Sequence, residues 1–458
     1  MTDLGPVLAR LESEHDRILN ELKEFAAIPS VSTDPAHAAD VQRAAAWIAA
    51  KLTAAGPFTV RTMPTPGASV VYAEWLGASG ASTILIYGHY DVQPEDPLEK
   101  WVTPPFVPTL RDGRLYARGV SDDKGPMLIP IKVAEAFFHT RGRLPINVKF
   151  LLEGEEEIGS RHLEAFVAEH RQVLKADVVI SADGAMWRID EPSLTIANRG
   201  LAGLELTVRG PAKDLHSGRH GGGVANPLHA MARLIASLHQ PDGRVAVAGF
   251  YDRVRELPPA ERAEIARLPF DEAAYLAQVG AAAAVGEPRY STLERQWTRP
   301  TLEVNGLWGG YQGPGMKTVV PSEAHAKITC RLVPNQDPDE VVALVTRHLE
   351  SHVPPGTTVS IRPDHHGARP AHIARDHHVL RVAEAALEEV YGVRPLIVRM
   401  GGTVPVAETF QRLLGLDTVY FSFSTGDEDF HAPNEFFRVH RLHEGLAAWA
   451  RLWERLGR

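Results

Sequence analysis

Three short apolar runs in the first 200 residues constrain this chain more than any other feature. STILIYG (82–88), INVKFLL (146–152) and DVVISA (177–182) have the length and β-branched content of buried strands. Between them, MLIPIKVAEAFFHTRG and RHLEAFVAEHRQVLK carry apolar residues at helical spacing. Strand and helix alternating in this way predict an α/β domain on a largely parallel mixed sheet flanked by helices. Ligand sites in such sheets gather at the carboxyl ends of the strands. Each run is followed there by polar candidates: His89 and Asp91, Glu155 to Glu157, and Asp183.

From about Gly200 the pattern changes to LELTVRG, the helix NPLHAMARLIASL, SEAHAKITCRLV, the helix PDEVVALVTRHLESH and TTVSIRP. This is close to a split βαβ arrangement, one strand short unless TLEVNGLWGG supplies it. The predicted division is a domain formed by 1–201 and 371–458, with an inserted α+β domain at 202–370. A polar insertion with helical character occupies about 241–298. A helix, PLIVRMGGTVPV, DTVYFSFSTGDEDFHAPNE and a last helix then return to the first domain.

A length of 458 residues fits two domains. Apolar residues at 44% and charged ones at 23% describe a globular chain, not a disordered one. The net charge of -9, spread without a basic block, argues against a nucleic-acid or anionic-membrane surface. The single cysteine, Cys330, excludes an internal disulfide and a thiolate cluster, so a metal here needs His, Asp and Glu. The N-terminus reads as an amphipathic helix with charges throughout, and no segment approaches the roughly twenty apolar residues of a membrane span. A cytoplasmic protein is expected.

The stretch LLEGEEEIGS (151–160) crowds Glu155, Glu156 and Glu157 where a buried strand ends. Taken alone, the run reads first as the acidic start of a helix, whose N-terminus favours carboxylates; the alternative is a bound cation, with one carboxylate holding it and a neighbour serving as a base. GHYDVQP offers His89 and Asp91, RGVSDDKGP offers Asp122 and Asp123, SADG offers Asp183, and DFHAPNE offers His431. Singly, each has an ordinary reading as a loop, turn or capping residue. Two imidazoles and three carboxylates from five segments suit a pair of cations such as zinc, with one carboxylate shared.

The series GHYDVQP, RGVSDDKGP, LEGEEEIGS, SADG, KDLHSG, CRLVPNQ, HHGARP, RMGGTVPV and DFHAPNE spans nearly the whole chain. In this order it resembles the carnosinase and cytosolic non-specific dipeptidase branch of the dinuclear zinc metallopeptidases, relatives of glutamate carboxypeptidase, aminoacylase and succinyl-diaminopimelate desuccinylase. The resemblance implies a catalytic domain with two divalent metal ions, zinc first and manganese or cobalt as alternatives. It also implies an inserted lid that dimerises, and hydrolysis of dipeptides with a free C-terminal carboxylate by a metal-bridging hydroxide.

Carried onto this sequence, the pattern makes Asp122 the bridging ligand, with His89 and Asp183 completing one site and Glu157 and His431 the other. Glu156 becomes the general base, and Asp91 orients His89. His216 resembles a histidine donated across a homodimer to stabilise the oxyanion, and Arg331 the clamp for the terminal carboxylate. His366, Gly402 and Thr403 match the remaining substrate-binding positions.

One departure concerns Arg399 to Thr403, which reads Arg-Met-Gly-Gly-Thr where the branch usually has Arg-Glu-Gly-Gly-Ser. The missing carboxylate weakens the case for β-alanyl substrates, whose free amine wants a negative partner. Rival readings are an N-acyl or N-carbamoyl amino acid amidohydrolase and a non-catalytic metal-binding protein. Glu156 beside Glu157 opposes the latter, because binding needs ligands but no base.

Overall fold

The apolar runs form the centre of a six-stranded sheet ordered Thr59–Met63, Val70–Trp75, Asn147–Glu153, Thr83–His89, Val178–Ser181, Thr418–Tyr420. The last four strands run parallel. Val70–Trp75 is antiparallel to Asn147–Glu153, and Thr59–Met63 to Val70–Trp75. The structure, a computed structural model, describes residues 3–458 apart from the side chains of His365 and His366. Asn147–Glu153 is buried at every position, as expected of a strand covered on both faces. Ile84, Ile86 and Phe150 join one core with Phe137 of the helix Gly125–Arg141 and with Trp449 and Trp453 of the helix Val439–Leu456.

Register then places the polar ends together. His89 pairs with Glu153 and Tyr87 with Ser181, so the residues that follow these strands emerge at one edge of the sheet.

Two helical segments differ from their sequence patterns. The N-terminal segment forms Gly5–Ser13 and His15–Ala26 rather than one helix. The chain turns at Glu14, whose carboxylate pairs with Arg10 and Arg17. Each half thereby keeps its own buried stripe, Val7 and Leu11, then Ile18, Leu22 and Phe25. RHLEAFVAEHRQVLK breaks similarly at His170, into Leu163–Glu169 and Arg171–Leu174.

The chain divides into one unit of Met1–Ile196, Ile373–Val398 and Thr409–Arg458, and another of Ala197–His372 and Arg399–Glu408. The second unit holds a four-stranded antiparallel sheet ordered Thr301–Gly309, Glu323–Leu332, Gly200–Arg209, Thr358–Ala368. TLEVNGLWGG thus supplies an edge strand. Helices Pro227–Ser237 and Pro338–Ser351 begin alike: Asn226 and Asp337 accept from backbone amides of the first turn, and proline follows each cap. Their apolar faces bury Met231, Leu234, Val341 and Val345 with Leu206 and Ile328 of the sheet.

The 241–298 region contains the short helices Pro259–Ala266, Glu272–Val279 and Thr292–Thr298. Its anchor is Arg299, which donates to both oxygens of Glu287 (2.8 and 2.9 Å) and lies over the rings of Tyr251 and Tyr290. Among the described residues, no helix is long and apolar enough to cross a membrane.

Candidate metal centre

The turn Val120–Lys124 leads into the helix Gly125–Arg141, and at Asp122 its backbone leaves the helical region (φ -122°, ψ 91°). Its shape is held from far along the chain. Buried Glu435 accepts from the amides of Gly119 (2.8 Å), Ser121 (3.0 Å) and Asp122 (3.2 Å), and from Arg118 Nη1 (2.8 Å). Glu435 ends the loop that carries His431, whose left-handed backbone (φ 59°) belongs to a tight turn with Asp429 and Asn434. Asn434 fastens this loop through Val102 N–H (2.8 Å) and the Lys100 carbonyl (2.9 Å).

Asp122 then stands between two imidazoles, with His89 Nε2 3.0 Å from one oxygen and His431 Nε2 3.2 Å from the other. His431 Nε2 is also 3.2 Å from Glu157 Oε2. Two ligand groups result, His89–Asp122–Asp183 and Asp122–Glu157–His431, each with ligand atoms within 4.8 Å of one another. Asp122 is common to both.

The acidic run separates into three roles. Glu155 turns to His162, whose Nδ1 is 2.7 Å from its Oε2. Glu157 joins the second ligand group and accepts from Gln93 Nε2 at 2.7 Å. Glu156 belongs to neither group, yet Glu157, Asp183, Asp122 and His89 all act on its charge. Gly154, just before the acidic run, faces the Tyr90 ring so closely that an added Cβ would lie 2.4 Å from a ring carbon.

Asp91 is buried, and its carboxylate accepts the amides of Glu156 (3.2 Å) and Glu157 (3.0 Å) and the Ser32 hydroxyl (2.6 Å). His89 Nδ1 lies 3.1 Å from the Asp91 carbonyl and 3.4 Å from its carboxylate. The residue therefore sets both the imidazole and the acidic turn, with its main-chain oxygen the nearer partner of the ring.

Electrostatics mark the same residues. Burial opposes charge on His89, but hydrogen bonds to Asp122 and Asp91 outweigh it and raise its pKa well above the usual value. Hydrogen bonds donated to Asp122 and Glu157 lift His431 to about 10. Burial tends to raise Asp122, yet the two histidines hold it below the ordinary carboxylate range. Burial lifts Asp183 to about 6, with Asp122 and Glu157 adding to the rise. Burial also lifts Glu156 well above its usual value; His89 opposes this, and Asp183, Glu157 and Asp122 reinforce it.

Cations relieve this crowding. Without metal, two imidazolium protons offset only part of the charge of the three carboxylates; the donor set of two imidazoles and three carboxylates fits two divalent ions. Binding must displace those protons, so loading the metal-free chain with two zinc ions at pH 7 should release about two protons per chain. Calorimetry in buffers of different ionisation enthalpy measures this. Apparent affinity should rise with pH as His431 titrates towards about 10; a pH-independent affinity would contradict the assignment.

The other predicted residues lie in the second unit. Arg331 Nη1 donates to Thr403 Oγ1 at 2.7 Å, and the Gly402 carbonyl accepts from Arg199 N–H at 3.0 Å. His216 is exposed on the two-residue strand Leu215–His216, its Nδ1 accepting from Gly218 N–H at 3.0 Å. His366 lies outside the described residues. Sequence reasoning passed over Glu435, Gln93, Ser32 and Arg199. Glu435 and Gln93 sit inside the quoted motifs DFHAPNE and GHYDVQP, which was the one signal available for them.

The description "Peptidase family M20/M25/M40" matches residues 85–455. The chain is 30% identical over 453 residues to the Cys-Gly metallodipeptidase dug1 of Schizosaccharomyces pombe, covering 95% of this chain and 94% of that one. It is 31% identical over 470 residues to the Beta-Ala-His dipeptidase of Homo sapiens, covering 98% and 91%. The M20 family metallo-carboxypeptidase Sso-CP2 from Sulfolobus solfataricus has a similar structure, with a TM-score of 0.83 at 33% identity over 96% of this chain and 99% of that one. With a match over most of its length and ligand groups suited to metal, this chain belongs to peptidase family M20/M25/M40.

Proposed function

We propose that the chain is a dinuclear metallodipeptidase acting on dipeptides with a free C-terminal carboxylate. The observation that carries this reading is Glu156, a partly buried carboxylate beside two ligand groups that share Asp122, and a member of neither. Relatives named as dipeptidases over nearly the full length point the same way.

His89 and Asp183 would hold one cation, Glu157 and His431 the other, with Asp122 shared. Zinc is the first choice, and manganese or cobalt suits the same donors. When bound, such ions polarise the scissile carbonyl and lower the pKa of a nearby water to about 7. Glu156 takes the proton from the attacking water, since it is a member of neither ligand group and stays free to accept it. It holds that proton while the tetrahedral intermediate stands, and then delivers it to the leaving amine. Asp91 keeps His89 and the Glu156–Glu157 backbone in place throughout. Arg331 meets the terminal carboxylate, with Gly402 and Thr403 forming the turn beside it. In a homodimer, His216 would serve the oxyanion of the partner's site.

Hydrolysis of a dipeptide panel beside N-acyl amino acids, by metal-free protein reloaded with zinc, manganese or cobalt, tests this reading. Metal-dependent cleavage of α-aminoacyl dipeptides is expected, with β-alanyl dipeptides slower because Met400 stands where the branch has a glutamate. Turnover confined to N-acyl amino acids would replace the proposal with the amidohydrolase rival.

A further inference from the structure

The Gly401–Thr403 turn is approached by two arginines. Arg331 donates to Thr403 Oγ1 at 2.7 Å. Arg199 donates through Nε to the Gly401 carbonyl at 2.9 Å and through its own amide to the Gly402 carbonyl at 3.0 Å. The two are near neighbours in the sheet, because Arg331 pairs with Leu201, two residues beyond Arg199. Arg199 Nη2 lies so near Gly401 that a Cβ added there would sit 3.3 Å from it, so glycine leaves the guanidinium uncovered.

Among the described residues, neither guanidinium is paired with a carboxylate, and Arg199 Nη1 is buried without a hydrogen-bond partner. The two cations also sense one another: burial and then the Arg331 charge bring Arg199 down to about 10, against the field of Glu303. Two like charges side by side in a partly buried site are unfavourable unless an anion is shared between them. The remaining N–H groups of both forks can receive one. Arg331 keeps Nε and Nη2, and Arg199 keeps Nη1 and Nη2, which together match the oxygens of a carboxylate.

We propose that Arg199 is the second arm of the substrate-carboxylate site, the terminal carboxylate of the dipeptide being held between Arg199 and Arg331 rather than by Arg331 alone. The inference rests on the dipeptidase reading above. Arg199 is then a specificity-determining residue. A C-terminal amide offers no negative charge and one oxygen, and leaves both cations uncompensated.

The test compares a dipeptide with its C-terminal amide in the zinc-loaded enzyme and in Arg199→Gln. Loss of one charge-assisted contact should lower the acid-over-amide ratio of kcat/KM by about tenfold to a hundredfold, mainly through KM for the acid. Arg199 also steadies the turn, and a merely structural role would lower both substrates together and leave the ratio at its wild-type value, which overturns the proposal. Arg199→Lys keeps a charge without the fork and should fall between the two. A wild-type enzyme that cleaves neither substrate removes the dipeptidase reading itself, and this inference falls with it. A crystal structure of the wild-type holoenzyme with free leucine gives an answer independent of any variant. Its carboxylate should contact both guanidiniums; a carboxylate on Arg331 alone, or on neither, overturns the proposal.

Discussion

Replacing Glu156 with glutamine should cut kcat by about 10²- to 10⁴-fold while both metal ions stay bound. The ligand groups are complete without Glu156, so metal content should match the wild type. Its neighbours make a second consequence visible. In the metal-free chain, burial and the charges of Asp183, Glu157 and Asp122 raise the Glu156 pKa well above its ordinary value. The folded chain therefore binds more protons than the unfolded one between the two values, and stability falls as pH rises through that window. Above it, ionised Glu156 is a net repulsion. Metal-free Glu156→Gln should accordingly melt above the metal-free wild type at neutral pH, although it is almost inactive when loaded. Activity near wild type would remove Glu156 as the base; a parallel loss of metal would move it among the ligands.

Asp122→Asn should have the other large effect, on metal content itself. Its two oxygens face His89 at 3.0 Å and His431 at 3.2 Å, and both ligand groups use it. Removing a group that only orients a ligand costs about 10- to 100-fold in metal affinity, so losing a shared ligand should cost more than about 100-fold. Elemental analysis after dialysis should find well under two metals per chain, with hydrolysis lost in proportion. The substitution also removes the charge that helps keep both imidazoles protonated. Their titration, followed by NMR in the metal-free variant, should move to lower pH. Full metal content with intact activity would show that the two groups do not depend on a common carboxylate.

What could be read in the sequence follows from periodicity and local chemistry. An apolar run of six or seven residues with β-branched side chains has few stable fates, and His89 and Asp183 follow such runs at one edge of the sheet. The caps at Asn226 and Asp337 are local too, because a side chain and an amide two residues away decide them. The break at Glu14 was not legible: helical spacing continues across it, and packing of two separate stripes placed the turn.

The candidate site divides along the same line. Residue types and motif order point to its candidate ligands, because imidazole and carboxylate donors at strand ends are recognisable by chemistry, and the family resemblance groups them. The family resemblance gives Glu156 and Glu157 different parts, and the tertiary structure gives the three glutamates different surroundings. Glu155, Glu156 and Glu157 are consecutive and chemically identical, and their neighbours, His162 for the first and Gln93 with His431 for the third, tell them apart. Glu435 secures the Asp122 turn across 317 residues of chain, measured to its partner Arg118. Arg199, which no quoted motif contains, is brought with Arg331 to the Gly401–Thr403 turn by the fold. Sequence therefore determined the chemistry this chain can perform, and the fold decided how that chemistry is shared among identical groups, because hydrogen bonds and fields depend on distance in space and not on separation along the chain.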